Sequence, residues 1–259
     1  MDLPSIQRAT ILPETDPRPV ARRIGLIVLA TDHTTEPDFR RMVAGDGLAV
    51  YTARIAYENP TTPENLRRMQ PRLREGAALI LPDEELDAIC FSCTSASVVI
   101  GDRAVEAAIH EAKPGTPVVT PPLAAVAALK ALQSRRISIL TPYTVETSAP
   151  MAEYFAGHGL DIARFTCLGF EDDREMARIK PSSLIQAAVE ATASDSEALF
   201  ISCTALRSAA VVPQIEQAIQ RAVVTSNLAT AWQCLRLCGL DLPRPDWGQL
   251  MALPYEAAA

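Results

Sequence analysis

An internal repeat is the feature of this 259-residue chain that most restricts its fold. Three short segments recur in the same order, as residues 22–27 and 135–140, 89–94 and 199–204, and 117–120 and 222–225. The copies lie 113, 110 and 105 residues apart when counted from 22 to 135, from 93 to 203 and from 120 to 225. Three matches that keep their order indicate an internal duplication.

Each half alternates short apolar, β-branched segments with helical ones. The predicted strands are 22–29, 48–55, 86–91 and 117–120, then 135–140, 163–168, 199–204 and 222–225. The predicted helices include one from Glu36, 63–77 with Thr62 as its N-cap, 98–111 and 122–132. Such alternation predicts parallel sheets with right-handed crossovers. We therefore expect an α/β fold of two pseudo-twofold-related halves, each built on a flavodoxin-like parallel sheet.

The halves divide between residues 120 and 121. We place the first half at 1–120, completed by the C-terminal segment 228–259, and the second half at 121–227. The proline-broken tail from Leu242 carries five apolar side chains that we expect to dock on the body or on a second subunit. They are Trp247, Leu250, Met251, Leu253 and Tyr255.

One repeated strand in each half ends in Ser-Cys-Thr, which places Cys93 and Cys203 at equivalent positions. Ligands of parallel α/β sheets bind beyond the carboxyl ends of the strands. Pseudo-twofold packing would put the two thiols on opposite sides of one cleft. A helix start after each cysteine predicts a lowered thiol pKa.

The same strand ends offer hydrogen-bond donors and acid–base groups. The free amides of Thr94 and Ser95, and of Thr204 and Ala205, would bind a carboxylate or an enolate oxygen. One thiolate and one thiol that flank a carbon can transfer a proton across it, or one can attack while the other supplies a proton. Neither route needs a cofactor, and the chain contains no Gly-x-Gly-x-x-Gly, P-loop or His-Glu-x-x-His motif.

The composition of the chain limits the kinds of partner that it can bind. A net charge of −7 argues against nucleic acid, and the chain has no run of about 18 apolar residues that would span a membrane. The N-terminus lacks the pattern of a signal peptide, so we expect a cytoplasmic protein. Cys90-x-x-Cys93 and Cys234-x-x-x-Cys238 could together supply four thiolates to zinc, but we do not expect a zinc site. Strand alternation separates Cys90 from Cys93, and the other pair lies on an apolar helix.

Four segments resemble the aspartate/glutamate racemase superfamily, in its branch of maleate isomerases and arylmalonate decarboxylases, and most closely its ectoine-utilisation protein A group. They are 29–37, 93–102, 140–144 and 203–207. The resemblance implies the two-domain racemase fold and cofactor-free chemistry. It implies that Cys93 is the nucleophile, that Cys203 is the proton donor and that Tyr143 contacts the substrate carboxylate. The decarboxylases lack the first cysteine, so this chain is more similar to the isomerases and racemases.

Two aspartates depart from that pattern. Maleate isomerases carry asparagine where this chain has Asp32 and Asp173, and those amides help to hold a dicarboxylate. Facing carboxylates repel each other in a closed cleft. Our hypothesis is that Asp32 or Asp173 binds a cationic group on a small amino carboxylate, such as an ectoine-related amino acid. The alternative is that both aspartates face solvent or cap the following helices.

We therefore expect a cofactor-independent isomerase or racemase that acts on a small-molecule carboxylate, and a homo-oligomer, either dimer or tetramer. Two alternatives stay open at this point, a decarboxylase that uses Cys203 alone and a non-catalytic binding protein for a small acid. Ser226 and Asn227, at the end of the last strand, are further candidates for the wall of the cleft.

Overall fold

The first sheet of the protein has the strand order β2-β1-β3-β4. The computed structural model describes residues 5–43, 45 and 47–254. Over these residues the first four strands are β1 (Arg22–Leu29), β2 (Leu48–Ile55), β3 (Ala88–Phe91) and β4 (Val118–Val119). All of their pairings are parallel. The buried, β-branched sequence of β1 is typical of a parallel strand that is covered on both faces.

The second sheet repeats the first. Its strands are β5 (Arg136–Tyr143), β6 (Asp161–Phe170), β7 (Ala198–Ile201) and β8 (Ala222–Thr225), in the order β6-β5-β7-β8. They are again parallel. The shared order confirms the predicted α/β fold of two similar parallel-sheet halves. The strand β7 stops at Ile201, so Ser202 and Cys203 lie beyond its carboxyl end and not within it.

Helices cover both sheets. Those that follow strands of the first sheet are α1 (Thr35–Met42), α2 (Pro63–Arg67), α3 (Gln70–Leu79), α4 (Thr94–Ile100), α5 (Asp102–His110) and α6 (Pro121–Ala131). Those that follow strands of the second sheet, with the tail, are α7 (Val145–Gly157), α8 (Asp173–Met176), α9 (Pro181–Ala191), α10 (Val212–Ile219), α11 (Ser226–Leu237) and α12 (Gln249–Ala252). No helix in the described part of the chain is long and apolar enough to cross a membrane.

Two predicted helices are divided. The segment predicted as 98–111 already starts at Thr94 and breaks at Gly101, whose φ of +91° favours glycine. The segment 63–77 divides into α2 and α3, and Thr62 caps it as predicted by accepting a hydrogen bond from the Asn65 amide.

The helices α6 and α11 join the two halves. Each follows the last strand of its half, and they pack against each other, with buried alanines such as Ala124 and Ala128 allowing close approach. The helix α11 also contacts α1 and β3 of the first half. This contact supports the assignment of 228–259 to the first half, which stays a prediction. The tail docks on the body through buried Leu250 and Met251, while Tyr255 lies outside the described residues.

Candidate active site

A small cavity lies where the carboxyl ends of β1, β3, β5 and β7 meet. Its volume is about 20 Å³, which is room for roughly one water molecule. Its walls come from both halves: Leu29, Asp32, Tyr57, Thr61, Leu66, Cys93, Ser95, Tyr143, Asp173, Met176, Cys203, Thr204 and Ala205. Eight of the nine residues predicted for the site are therefore brought together, and Thr94 is outside the lining.

Cys93 lies at the start of a helix, as predicted. It is the N-cap of α4, with φ −149°, and its sulfur accepts a hydrogen bond from the Ala96 amide. The hydroxyl of Ser95 is 3.9 Å from the sulfur. The first thiol therefore sits against one amide and one hydroxyl, and its side chain is buried.

Cys203 has a different backbone. No α-helix begins at this cysteine, so that part of the prediction is wrong. A turn covers residues 204–208, a short 3₁₀ segment follows at Ala209–Val211, and α10 begins at Val212. The sulfur nevertheless has three donors, the Tyr143 hydroxyl and the amides of Ala205 and Leu206. These donors come from a tight turn and from β5, not from a helix terminus.

The prediction of a lowered thiol pKa is also wrong. Burial raises the pKa of Cys93 to about 12 and that of Cys203 to about 11, from an ordinary value of 9.0. Loss of hydration of the thiolate exceeds the stabilisation from the nearby amides and hydroxyls. The negative charge of Asp173 raises both values further.

Two tyrosines complete the polar wall. Tyr143 is buried at the end of β5 and hydrogen-bonds with Cys203 and Ser95. Tyr57 follows β2, and its hydroxyl lies 2.7 Å from the Thr61 hydroxyl. Burial raises the pKa of both phenols, so both are neutral donors at neutral pH. Sequence reasoning missed Tyr57, although its place after a parallel strand is the signal that identified the cysteines.

Asp32 is both a wall residue and a local cap. Its Oδ1 accepts hydrogen bonds from the amides of Thr34 (2.9 Å) and Thr35 (2.8 Å), and its Oδ2 accepts one from the Thr35 hydroxyl (2.8 Å). Burial raises the pKa of Asp32, and those hydrogen bonds and nearby Arg54 oppose the rise. These contacts are those of a local cap, as the alternative predicts. Asp32 also lines the cavity, which is the position that the hypothesis of a bound cationic group requires.

Asp173 joins the two halves at the cavity. Its carboxylate accepts hydrogen bonds from the Thr31 hydroxyl and from the Asn59 amide, the latter at 2.8 Å. The adjacent segment is held in the same way: the Thr61 amide donates to Glu171 O, and the Thr147 hydroxyl donates to Thr61 O, both at 2.7 Å. Segment 57–61 of the first half therefore closes the cavity against the second half.

The cavity is acidic. Asp32 and Asp173 are both buried, and none of the described residues that line the cavity is a lysine, arginine or histidine. Across the described residues there is also no cluster of three or more His, Cys, Asp or Glu side chains that could hold a metal ion.

Thr94, Ser226 and Asn227 lie behind the wall. The Thr94 hydroxyl donates to Ser226 Oγ (2.7 Å), and Asn227 donates to Thr204 O (3.0 Å) and to buried Asp38 (3.0 Å). Ser226 and Asn227 are not among the lining residues. They support the two cysteine loops, that is, the residues directly around Cys93 and around Cys203, on the side away from the cavity.

The chain is similar in sequence and in fold to known enzymes. A maleate isomerase of Nocardia farcinica is 27% identical over 241 residues, covering 89% of this chain and 95% of the relative. An arylmalonate decarboxylase of Bordetella bronchiseptica is 28% identical, covering 83% and 87%. The fold matches a structure of the N. farcinica maleate cis-trans isomerase, a C194S mutant with a covalently bound succinylcysteine intermediate. Its TM-score is 0.82 at 24% identity, covering 89% of this chain and 98% of that one.

The family model for arylmalonate decarboxylase matches residues 24–251, which include both cysteine loops. The relatives that the chain matches are enzymes, among them maleate isomerases and an arylmalonate decarboxylase. The chain therefore belongs to the arylmalonate decarboxylase family.

Proposed function

We propose that this chain is a cofactor-independent isomerase of a small carboxylate in which Cys93 and Cys203 are the two reacting groups. The observation that carries the proposal is that both thiols, one from each half, line one buried cavity. Both lie just beyond strand carboxyl ends, and both have hydrogen-bond donors at the sulfur. The resemblance assigns the nucleophile to Cys93 and the proton donor to Cys203.

The chemistry of a cis–trans step follows from two thiols. Cys93 reacts in its thiolate form, which is the minor form at rest and arises when the thiol gives its proton to water. This thiolate forms a bond to one alkene carbon, and the π electrons move to the neighbouring carbon, which takes the proton of Cys203. The former double bond is then single and rotates. The Cys203 thiolate removes the proton again, the double bond re-forms, and the bond from sulfur to carbon breaks, so nothing is consumed. The succinylcysteine of the N. farcinica mutant is an adduct of this type.

The acidity of the cavity indicates the substrate class. A dicarboxylate would meet Asp32 and Asp173 with no cationic side chain among the described lining residues, and like charges in a buried site repel. A substrate that carries an amine or amidinium beside its carboxylate would instead compensate these charges. Tyr143 and Ser95 would hold the carboxylate, together with main-chain amides from Thr94 and from the turn at Thr204 and Ala205. Ectoine-related amino acids have this charge pattern. Because they contain no carbon–carbon double bond, the two thiols would act on them as in a racemase, with one taking the α proton from one face of the carbon and the other giving a proton to the opposite face.

Substitution of the aspartates tests the substrate class. Asp32→Asn and Asp173→Asn should lower activity on diaminobutyrate-type substrates and raise activity on maleate, because each removes a negative charge without changing side-chain size. Activity would be followed by nuclear magnetic resonance in heavy water, as fumarate formed from maleate and as deuterium taken up at the α carbon of the amino acid. If neither change alters the preference between the two substrates, recognition of a cation at these positions is excluded.

Decarboxylation through Cys203 alone is the second candidate, because the family model and the Bordetella relative both carry that activity in their names. The two cysteines separate the candidates. An isomerase needs both thiols, so Cys93→Ser and Cys203→Ser should each abolish turnover. Full activity in Cys93→Ser, with none in Cys203→Ser, would establish the decarboxylase.

Two further expectations stay predictions. They are the cytoplasmic location and the assembly into a dimer or tetramer. Size-exclusion chromatography with light scattering measures the second, and a monomer at micromolar concentration would contradict it.

A further inference from the structure

The backbone of Cys203 is held in a conformation that L-residues rarely adopt. Its φ is +94°, whereas Cys93, at the equivalent strand end, has φ −149°. A non-glycine residue in such a region is strained and persists when the surroundings hold it there. The two duplicated segments therefore have different backbone conformations at their cysteines.

Hydrogen bonds restrain the chain on both sides of Cys203. The preceding Ser202 amide donates to Leu140 O (2.9 Å), and the following Thr204 carbonyl accepts from Asn227 (3.0 Å). Between them, the Cys203 amide itself donates to Ser226 Oγ at 3.1 Å. The amide direction sets φ, so the Ser226 hydroxyl bears directly on the strained angle.

The first half has no counterpart of this contact. Ser226 is the first residue of α11, and the first residue of α6 is Pro121, which has no hydroxyl. The Cys93 amide instead donates to Phe91 O (3.0 Å), two residues earlier in the chain. The half that has a serine at the first position of this helix is thus the half in which the cysteine has a positive φ.

The hydroxyl of Ser226 is itself oriented from the first half. Ser226 is fully buried, and its Oγ also accepts the Thr94 hydroxyl at 2.7 Å. Both acceptor positions of a serine hydroxyl are then in use. Thr94 directly follows Cys93, so Ser226 connects the two cysteine loops.

We propose that Ser226 is a positioning residue for Cys203, and that its hydroxyl holds the strained backbone which aims this sulfur at the Tyr143 hydroxyl and at the amides of Ala205 and Leu206. The role rests on the proposed function only in taking Cys203 as a reacting group. Without the hydroxyl, the Cys203 amide loses its acceptor and φ relaxes towards negative values. The sulfur then loses donors that favour its thiolate, while Cys93 keeps its own.

The test measures thiol reactivity and does not depend on a substrate. Iodoacetamide alkylation of Cys93 and Cys203 is followed by peptide mass spectrometry between pH 7.5 and 10 in the wild type and in Ser226→Ala. We expect alkylation of Cys203 to slow by about tenfold at a given pH, as for a thiol pKa raised by about one unit. Alkylation of Cys93 should change less than about twofold, since the contacts of its sulfur stay in place.

Two further variants make the result decisive. Ser208→Ala removes another buried hydroxyl from the same loop, one without a hydrogen-bond partner among the described residues, and it should leave the Cys203 profile unchanged. Ser226→Cys keeps nearly the same size with a weaker acceptor, so it serves if Ser226→Ala does not fold. Unchanged or faster alkylation of Cys203, or an equal change at both cysteines, would overturn the proposal, whether or not the enzyme proves to be an isomerase.

Discussion

The hydroxyl of Thr204 in the second half donates a 3.0 Å hydrogen bond to the main-chain carbonyl of Ser92 in the first half. Both residues are buried. Ser92 precedes Cys93 and Thr204 follows Cys203, so the bond ties one cysteine loop to the other. This bond and the hydrogen bond from Thr94 to Ser226 both join the halves. The position of one thiol relative to the other therefore depends on how the two halves pack.

Thr204→Val tests this tie. Valine has nearly the shape of threonine but cannot donate, so the Ser92 carbonyl is left buried without its partner, at a cost of about 1–3 kcal/mol. The free energy of unfolding, measured by urea denaturation, should fall by that amount. Thr204→Ser keeps the hydroxyl and should lose less. Equal losses in the two variants would show that the hydrogen bond does not matter.

Asp32→Asn tests the linkage of stability to pH. Burial raises the pKa of Asp32 above its ordinary 3.8, so the folded protein binds this proton more tightly than the unfolded chain does. The stability from that difference is complete below about pH 3.8 and is lost as the pH rises through the folded pKa. The unfolding free energy of wild type minus variant should therefore be larger near pH 4 than at pH 7.

Urea denaturation at the two pH values measures this difference. The same change at exposed Asp16 controls for the loss of one carboxylate. A difference that grows towards pH 7 would have the wrong sign for a buried, raised carboxyl.

The resting thiols should react slowly at neutral pH. Burial raises the pKa of Cys93 to about 12 and that of Cys203 to about 11, and only thiolates are alkylated. Their iodoacetamide rates at pH 7.5 should lie well below that of a free thiol and should keep rising above pH 9. A plateau of either rate below pH 8 would show an activated thiolate in the resting enzyme.

Tyr143→Phe should affect the two thiols unequally. The hydroxyl of Tyr143 is a hydrogen-bond donor to Cys203, so its removal raises that thiol pKa further and slows alkylation of Cys203 more than that of Cys93. Tyr57→Phe is the matched control, because the Tyr57 hydroxyl lies against Thr61. Equal slowing of Cys203 in both variants would contradict a direct contact.

Asn59→Ala should open the cavity. The Asn59 amide donates to Asp173 across the halves, and a cavity of about 20 Å³ is too small for iodoacetamide without movement of its walls. Loss of this contact should speed alkylation of both cysteines by a similar factor. If the rates are unchanged, reagents enter by a route that does not involve segment 57–61.

Local patterns were sufficient for the overall fold. The repeat predicted two like halves, apolar β-branched runs predicted the strands, and the rule for parallel sheets placed Cys93 and Cys203 near strand carboxyl ends. Tyr143 came from the family resemblance. These inferences succeed because the burial of a strand and the capping of a helix depend on residues that are neighbours in sequence. Thr62 and Pro63 at the start of α2 are an example.

The details of the site depended on which distant groups meet. Asn59 and Asp173 are 114 residues apart in sequence, and no local pattern pairs them. The thiol pKa was predicted in the wrong direction because local amides favour the thiolate, whereas the larger effect is desolvation, which arises only when both halves close over the sulfurs. A turn at residues 204–208 replaces the helix expected after Cys203, and the Cys203 amide donates to Ser226, which lies on another element.

The sequence by itself thus determined the duplicated parallel-sheet fold and the two cysteines at equivalent strand ends. Only the tertiary structure decided that the cavity is closed and acidic, that both thiols are protonated at rest and that their backbones differ. The physical reason is range: strand and helix formation follow from contacts between near neighbours, while dielectric environment, charge balance and backbone strain depend on packing between residues that are far apart in the chain.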